Sequence, residues 1–537
     1  MAALFVGAGL IVFSFRHLLT RPFYSDEAWR AYDISLGPSF LHKLDTSGAP
    51  LALGWVAIEN AARLVVGDTA AGLRAPMFIC LPVLGIATYL LARRWLGVWV
   101  SFGVAALLLV NSWTVNNALQ LKSYSYEGLF AIAAIALYRL LQRARLRQAQ
   151  LLGLYTLLGL TCVFSLPNLF VLAPLLALDL VQAVRARNQV VLRIAGEALA
   201  GAIALAHYVV FVRPQAAVAN EGFWSGNYAP HGLGAFLRFT IRGIGSFFPT
   251  MVTGPAGAEN LPPSYRLPPV AHGLLAAALA VLLAAGIVAA ARDTAGRVLV
   301  VAVGGALLLQ LIASAVQRWP FGMVRVNIFL LPLLYVLGGM GAMWLARTLR
   351  GRSAGGLAWW RAASLAGAAA VLAAAAAAGG VATGKALAQT GSLQTKPTMF
   401  GGLESAVQQA RLQAVPADLV IVRASRHPPV WYAGGWLYYM DSYQGWPPKA
   451  AARPAIPPRN TISVYEVTPG AVRRFLAEHP GSPTVFLLEY IIPGNTFPRR
   501  LHLQSLQTLR AFGYCAVSDT SYPMTGHLTV LRACPRT

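Results

Sequence analysis

The sequence predicts a polytopic α-helical membrane protein with a small α/β domain at its C-terminal end. The 537 residues are 57% hydrophobic and only 12% charged, with a mean hydropathy of +0.57. Water-soluble domains carry about twice that charged fraction, so the composition excludes an ordinary soluble enzyme. The apolar residues are also gathered in runs of about 20, the length needed to cross about 30 Å of hydrocarbon.

Eleven apolar segments qualify as membrane spans by their length and flanking charges. They lie at residues 2–19, 74–92, 97–115, 125–142, 150–166, 168–184, 194–212, 271–291, 298–316, 326–346 and 362–381. The first has neither a basic start nor a small-residue cleavage site, so we expect a retained anchor.

A further apolar stretch, residues 51–66, decides the predicted orientation. Trp55 and Val65 share one helical stripe while Glu59 and Arg63 lie opposite, which is typical of a helix in the membrane interface. If this stretch does not span, the arginine-rich loops all fall on one side. The positive-inside rule makes that side the cytoplasm, so the N-terminus is predicted inside and the C-terminus outside.

This topology predicts two domains and two long external loops. A membrane domain covers residues 1–382, with external loops at 20–73 and 213–270, and an extracytoplasmic domain covers residues 383–537. Strand and helix patterns in the second domain predict a small α/β fold. The strands are expected at 418–424 and 484–492, and the helices at 471–479 and 501–512.

The cysteines and the net charge exclude other classes of protein. Four cysteines are too few for a disulfide-dense scaffold, and none lies in a cluster typical of zinc or redox chemistry. Cys515 and Cys534 flank a predicted hairpin and either pair in an oxidising compartment or stay free thiols. The net charge is +24, but many of the basic residues lie between apolar runs and not on one water-exposed domain. A nucleic-acid partner is therefore not predicted.

Charged residues at the outer ends of the spans are the candidates for function, because charge beside a bilayer is costly to desolvate. Taken singly, each also fits a helix-start acid, a solvated loop, an interfacial anchor or an aromatic belt. Their convergence on one face favours a site where Lys and Arg hold a lipid phosphate and a carboxylate takes a proton from a hydroxyl. The candidates are Asp26, Glu27, Lys43, Asp45, Lys122, Tyr124, Trp224, Arg318 and Arg325.

Four sequence features, in a fixed order along the chain, resemble the GT-C superfamily of membrane glycosyltransferases. This superfamily includes protein O-mannosyltransferases, the aminoarabinose transferase of lipid A and arabinofuranosyltransferases. The four features are the acidic pair Asp26 and Glu27, an interfacial helix opened by Pro50 with Gly67 and Arg74 beyond it, a K-x-Y motif at Lys122 and Tyr124, and the P-F-G-x-x-R segment Pro320–Arg325. Many relatives have two prolines or a lysine where this chain has Thr46–Pro50, which leaves the donor-binding residue of that loop open.

The resemblance implies an inverting transfer from a polyprenyl-phosphate sugar to an acceptor hydroxyl on the extracytoplasmic face. Asp26 is expected to be the general base, with Glu27 supporting it or contacting the acceptor. The donor phosphate is expected at Lys122, Tyr124, Arg325 and Lys43, and the sugar or acceptor at Trp224, Asp45 and Arg318. No cofactor is predicted, because Lys and Arg can neutralise a monophosphate. A Mg²⁺ or Mn²⁺ ion on Asp26, Glu27 and Asp45 is the less favoured alternative.

Two other functions stay open. A transporter or flippase for a lipid-linked sugar predicts inverted repeats and charges at the membrane midplane, neither of which the sequence shows. A non-catalytic cell-envelope assembly protein would tolerate the loss of Asp26. The arginine and alanine bias, with only five lysines, is typical of a GC-rich bacterial genome. We therefore expect a bacterial plasma-membrane protein whose partners are a lipid-linked donor, a glycan, lipid or protein acceptor, and membrane lipids.

Overall fold

A computed structural model of the chain is mostly helical and ends in a small sheet. It describes residues 19–23, 25–42, 44, 50–142, 146–187, 189–216, 225–253, 268–351, 374, 377, 380–381, 402–424, 429–442, 456–490, 499–522 and 526–535. The predicted spans at 2–19 and 362–381 fall almost wholly outside these residues, and so do Lys43, Asp45, Trp224 and the boundary between the two predicted domains.

Fourteen α-helices of seven or more residues are described before the C-terminal part. They are α1 (Ser25–Ser35), α2 (Leu53–Val66), α3 (Ala70–Ala92), α4 (Val98–Val110), α5 (Ser112–Ala118), α6 (Tyr124–Leu141), α7 (Gln148–Phe164), α8 (Asn168–Ala186), α9 (Val190–His207), α10 (Leu233–Gly245), α11 (Phe247–Thr253), α12 (Pro269–Arg292), α13 (Thr294–Ala315) and α14 (Leu331–Gly351). A π-helical turn, Tyr208–Val212, extends α9, and a 3₁₀ turn, Arg325–Leu330, leads into α14.

Six helices of the described part are long and apolar enough to cross a membrane. They are α3, α8, α9 with its extension to Gln215, α12, α13 and the stretch Arg325–Thr348. Helices α4, α6 and α7 occupy three further predicted spans but are shorter or less apolar. The multi-span character is therefore confirmed, whereas the count of eleven and the orientation stay predictions.

The predicted span at 97–115 is interrupted by Asn111. Its side chain accepts hydrogen bonds from the backbone N–H groups of Trp113 and Thr114, both at 3.1 Å, and so caps the new helix α5. Its amide nitrogen donates to the backbone oxygen of Thr250 at 2.8 Å. Because asparagine can satisfy backbone groups on both sides, the chain changes direction here instead of continuing the helix.

Helix α2 lies where the sequence predicts an interfacial helix, but Glu59 on its predicted polar side is buried. Glu59, assigned to the polar side, is 0% exposed, as is Trp55, whereas Val65 is 84% exposed and Leu64 is 81% exposed. Trp55 and Val65 of the predicted apolar stripe therefore differ in exposure, since Trp55 packs inside the protein and Val65 lies at its surface. Exposed leucine and valine cost little against lipid tails, which are equally apolar, so α2 can turn its apolar side outward.

The C-terminal part is an α/β unit built on a five-stranded sheet. Its elements are α15 (Gly402–Arg411), β1 (Leu419–Ala424), α16 (Pro429–Leu437), β2 (Thr461–Val464), α17 (Pro469–Glu478), β3 (Thr484–Tyr490), α18 (Arg499–Ala511), β4 (Tyr514–Tyr522) and β5 (Gly526–Ala533). A π-helical turn, Tyr438–Ser442, extends α16. The strand order is β2-β1-β3-β5-β4, with β1 parallel to β2 and β3, and β5 antiparallel to β3 and β4. Both predicted strands and both predicted helices are present.

The sheet has two apolar faces, because side chains alternate along each strand. Val420 and Phe486 belong to a cluster that continues into α1 and α2, whereas Ile421 and Leu487 pack under α17 and α18. The β4–β5 hairpin is closed by a disulfide between Cys515 and Cys534, whose Cα atoms are 4.9 Å apart. The pairing that the sequence left open is thus formed, and Cys80 and Cys162 are buried free thiols.

Candidate functional site

The acidic pair lies in the first turn of α1. Helix α1 begins at Ser25, so Asp26 and Glu27 are at its N-terminus, where the helix dipole favours negative charge. Of the two placements that the sequence allowed, the structure has the helix start. The backbone of Asp26 is described, and its side chain lies outside what the structure describes.

Glu27 is held by a bidentate ion pair with Arg74 of α3. Nε of Arg74 donates to Oε1 and its second terminal nitrogen to Oε2, both at 3.0 Å, and the backbone N–H of Leu121 donates to Oε1 at 2.9 Å. The two side chains are 1% and 0% exposed. Both carboxylate oxygens therefore have charged donors inside the protein.

The electrostatics keep Glu27 ionised. Burial by itself raises the pKa of Glu27, but the charges of Arg74 and Arg21 and the hydrogen bonds outweigh it, so the pKa of Glu27 lies below its ordinary value. A carboxylate held in this way is a poor proton acceptor. Of the two roles predicted for Glu27, the geometry favours support of Asp26 over contact with the acceptor.

Arg74 also fastens the segment that enters α1. Its guanidinium donates to the backbone oxygens of Leu19 at 2.9 Å, Arg21 at 2.5 Å and Pro22 at 3.2 Å. The planar fork of arginine suits such a task, which lysine cannot perform with the same geometry. The sequence marked Arg74 only as part of a family pattern, and its contacts make it the residue that holds the acidic pair in place.

The K-x-Y motif lies beside the acidic pair. The hydrogen bond from Leu121 to Glu27 places the start of α6 against α1, and Lys122 and Tyr124 are buried there, 4% and 5% exposed. Tyr124 also lines a small cavity with Ile328 of the turn that begins at Arg325. The start of α6 is thus flanked by the acidic pair and by the Arg325 turn.

A larger cavity of about 490 Å³ lies between α10 and the P-F-G-x-x-R segment. This volume is within the range of small-molecule sites, about 300 to 1,000 Å³. Two arginines of α10, Arg238 and Arg242, line it, facing apolar and backbone groups of the segment. The remaining lining residues are Gly226, Asn227, Pro230, Ala235, Phe239, Gly243, Ser246, Phe321, Gly322, Met323 and Val324.

Helix α10 is amphipathic, which explains how it presents these arginines. Its apolar residues recur at helical spacing and are exposed, and Arg238 and Arg242, four residues apart, lie on the side of the cavity. The exposed fractions are 75% for Leu233, 50% for Leu237, 70% for Ile241 and 43% for Ile244. Such a helix suits the membrane interface, with its apolar side in lipid. The same spacing in the sequence could have identified both arginines, which belong to none of the predicted motifs.

The opposite wall of the cavity is fixed by glycine and by Asn327. Gly322 has a φ of 93°, which favours glycine, and a Cβ there would lie 3.1 Å from the Cα of Gly243. A Cβ on Gly243 would lie 2.5 Å from the ring of Phe321, so the segment approaches α10 closely at these two glycines. The amide of Asn327 donates to the backbone oxygens of Pro320 at 3.0 Å and Gly322 at 2.7 Å. Trp319 donates its indole N–H to Asn327 at 2.8 Å.

The other candidates are distributed around this segment. Arg325 is half-buried at the start of its turn, and Arg318 is exposed near Tyr228. Lys43, Asp45 and Trp224 lie outside the described residues. The structure therefore brings Glu27, Lys122 and Tyr124 together and places Arg325 on a turn that packs against the same helix.

The described residues contain no group of three His, Cys, Asp or Glu side chains suited to a metal ion. Glu27, one of the three carboxylates that could hold Mg²⁺ or Mn²⁺, has both oxygens bonded to Arg74. Asp45 and the Asp26 side chain lie outside the described part. A site without metal stays a prediction, and the role of Glu27 disfavours the alternative.

Glu59 of α2 is a buried carboxyl that the sequence placed on the polar surface. Burial holds the pKa of Glu59 well above its ordinary value, offset only in part by Trp55. The folded protein thus keeps this proton at pH values where the unfolded chain loses it, and stability falls as pH rises above about 4.5.

Glu59→Gln removes this pH-dependent penalty, because glutamine does not ionise. We expect a higher melting temperature than wild type, with a larger gain at pH 8 than at pH 5. Glu478→Gln, at an exposed carboxyl on α17, is the control and should change neither value. A gain from Glu59→Gln that is equal at both pH values would show that ionisation is not its cause.

The fold matches solved structures over most or all of the chain. ArnT from Cupriavidus metallidurans in the apo state aligns at a TM-score of 0.51 and 13% identity, covering 100% of this chain and 99% of ArnT. ArnT bound to undecaprenyl phosphate gives a TM-score of 0.52 at 14% identity with the same coverage. The oligosaccharyltransferase AglB from Archaeoglobus fulgidus, in complex with an inhibitory peptide and a dolichol-phosphate, gives 0.50 at 15% identity, covering 91% of this chain and 69% of AglB.

No protein-family model and no curated protein matches the sequence. At such low identities the likeness shows the fold alone, which this chain shares with ArnT and AglB. The resemblance drawn from the sequence motifs is confirmed at that level.

Proposed function

We propose that the protein is an inverting membrane glycosyltransferase that takes a sugar from a polyprenyl-phosphate donor. The observation that carries the proposal is the cavity in which Arg238 and Arg242 face the Phe321–Val324 segment on a helix whose other side is apolar and exposed. A lipid phosphate needs both features, cations for its head and an apolar surface for its tail. ArnT, which has this fold, binds undecaprenyl phosphate, and this supports the assignment.

The reaction needs a general base and cations that bind the donor phosphate. Asp26 takes the proton from the acceptor hydroxyl, whose oxygen attacks the anomeric carbon as the bond from that carbon to the phosphate oxygen breaks. The configuration inverts, and polyprenyl phosphate leaves with its negative charge. Because that charge needs stabilisation and no proton, arginines and Lys122 suffice as electrostatic catalysts.

The remaining predicted residues have supporting roles in this scheme. Glu27 and Arg74 hold the first turn of α1, and Lys122, Tyr124 and Arg325 contribute to the donor phosphate site together with Arg238 and Arg242. Lys43, Asp45, Trp224 and Arg318 are proposed to contact the donor or acceptor from the external loops. The site faces the extracytoplasmic side of a bacterial plasma membrane, where a lipid-linked donor meets a glycan, lipid or protein acceptor.

Binding of undecaprenyl phosphate tests the arginine cavity. We expect Arg238→Ala and Arg242→Ala each to weaken the affinity about tenfold to a hundredfold, the effect of losing a charged hydrogen bond. Arg473→Ala, at an exposed arginine of α17, should bind like wild type. Unchanged affinity in both α10 variants would remove the cavity from the donor site.

Transfer itself is tested with purified protein and polyprenyl-phosphate donors carrying mannose, arabinofuranose or aminoarabinose. We expect at least one donor to give transfer of its sugar to an acceptor together with release of polyprenyl phosphate. Protein that binds the lipid phosphate but transfers no sugar would instead favour a flippase or an assembly protein.

A further inference from the structure

The C-terminal unit packs directly on the helix that carries the acidic pair. Ala28, Ala31 and Ile34 of α1 belong to the same apolar cluster as Trp436 and strand residues of the sheet. Gly434 of α16 lies so close to α1 that a Cβ there would be 2.9 Å from the Cβ of Trp29 and 3.3 Å from its Cα. Only glycine allows this approach without displacing one of the two helices.

Tyr439 of this unit binds the backbone just before α1. The N–H of Phe23 donates to the hydroxyl of Tyr439 at 2.7 Å, and that hydroxyl donates to the oxygen of Phe23 at 3.3 Å. Tyr439 is 1% exposed and Phe23 is 0% exposed, so both bonds are shielded from water. Phe23 also packs edge-on against Tyr438, with ring centroids 5.4 Å apart.

The segment leading to Asp26 is therefore held from two sides. Arg74 binds the backbone oxygens of Leu19, Arg21 and Pro22, and its guanidinium lies 4.4 Å over the ring of Phe23. Tyr439 binds both backbone groups of Phe23, three residues before Asp26. One of these two anchors comes from the membrane part, and the other comes from the C-terminal unit.

We propose that Tyr439 is a positioning residue for the transfer reaction, through which the C-terminal unit fixes the place of Asp26. This inference rests on the proposed function, in which Asp26 is the base. Tyr439 is buried and its hydroxyl binds the backbone of Phe23, so it acts through that segment. It removes freedom from the segment that carries the base, and such placement is decisive because small errors in geometry cost large factors in rate.

Tyr439→Phe tests this inference, because it keeps the packed ring and removes both hydrogen bonds to Phe23. We expect kcat to fall about tenfold or more, with the donor KM within about twofold of wild type, since the phosphate cations are untouched. Hydrogen exchange of the amides from Phe23 to Glu27 should become about tenfold faster, the effect of losing a buried hydrogen bond. Gly434→Ala, which pushes α16 away from α1, should change both readouts in the same direction.

Tyr514→Phe is the matched control. Its hydroxyl donates to the backbone oxygen of Ser482 at 3.0 Å within the C-terminal unit, away from α1, so kcat and exchange near Phe23 should stay at the wild-type values.

Unchanged exchange in Tyr439→Phe would show that the tyrosine does not hold the segment. Faster exchange with normal kcat would make its role structural only. Wild-type protein that transfers no sugar contradicts the proposed function instead, and the exchange measurement then decides the anchoring role alone.

Discussion

Asp26→Asn is expected to lower the rate of sugar transfer about 10²- to 10⁴-fold, the usual contribution of a general base. Asparagine has nearly the same size and also suits the first turn of α1, so the helix should form as before. The amide cannot take the proton of the acceptor hydroxyl. The loss should appear in kcat, measured with saturating donor and acceptor, whereas the affinity for undecaprenyl phosphate should stay within about twofold of wild type, because its cations are unchanged.

The matched control for this variant is Asp293→Asn. Asp293 caps α13 by accepting a hydrogen bond from the backbone N–H of Gly296 at 2.9 Å, and asparagine caps helices equally well. Its transfer rate should equal that of wild type. Normal transfer by Asp26→Asn would contradict the proposed base, and a loss of lipid-phosphate binding in the same variant would indicate a damaged site rather than missing chemistry.

Arg74→Ala has the largest expected effect on stability. It leaves Glu27 charged and buried without its bidentate partner, and it removes the donor from the backbone oxygens of Leu19, Arg21 and Pro22. Breaking a buried ion pair by removing one partner costs about 3 to 5 kcal/mol. We expect a fall of that order in the free energy of unfolding, measured by denaturation in detergent, together with loss of transfer.

A double-mutant cycle isolates the ion pair from the other contacts of Arg74. Glu27→Gln combined with Arg74→Ala should cost less than the sum of the two single variants, because the double variant leaves no buried charge unpaired. Arg297→Ala is the control, since its exposed guanidinium bonds only to the backbone oxygen of Ala291 among its described contacts, and its effect should stay within about 0.5 kcal/mol. Strict additivity between the two sites would show that the pair contributes nothing beyond its members.

Charged residues at the predicted cytoplasmic ends of two spans separate what a local pattern predicts from what it does not. Asp179 and Glu197 lie near the predicted cytoplasmic ends of the spans at 168–184 and 194–212, away from the candidate residues, and this position predicts structural roles for both. Asp179 is indeed buried and accepts hydrogen bonds from Arg193 at 2.5 Å and from Gln142 at 2.7 Å. The position along the spans thus predicted structural roles for these carboxylates. The partners of Asp179, Arg193 and Gln142, are seen only in the tertiary structure.

The amino-acid sequence by itself determined the class of the protein, most element positions and the family likeness. The length of an apolar run predicts a membrane helix. Alternating or short continuous apolar runs predict the strands at Leu419–Ala424 and Thr484–Tyr490, and both signals are local. The same local signals placed Asp26 and Glu27 after one predicted span and Lys122 before another.

The tertiary structure alone decided what these residues contact. Arg74 and Glu27 are in contact although 47 residues separate them in the sequence, and Tyr439 and Phe23 are in contact although 416 residues separate them. Hydropathy and periodicity carry no information on such pairs, since a buried ion pair or a tyrosine anchor depends on which helices meet. For the same reason the helical pattern predicted that Glu59 lies on a polar side of α2, whereas Glu59 is buried in the folded protein.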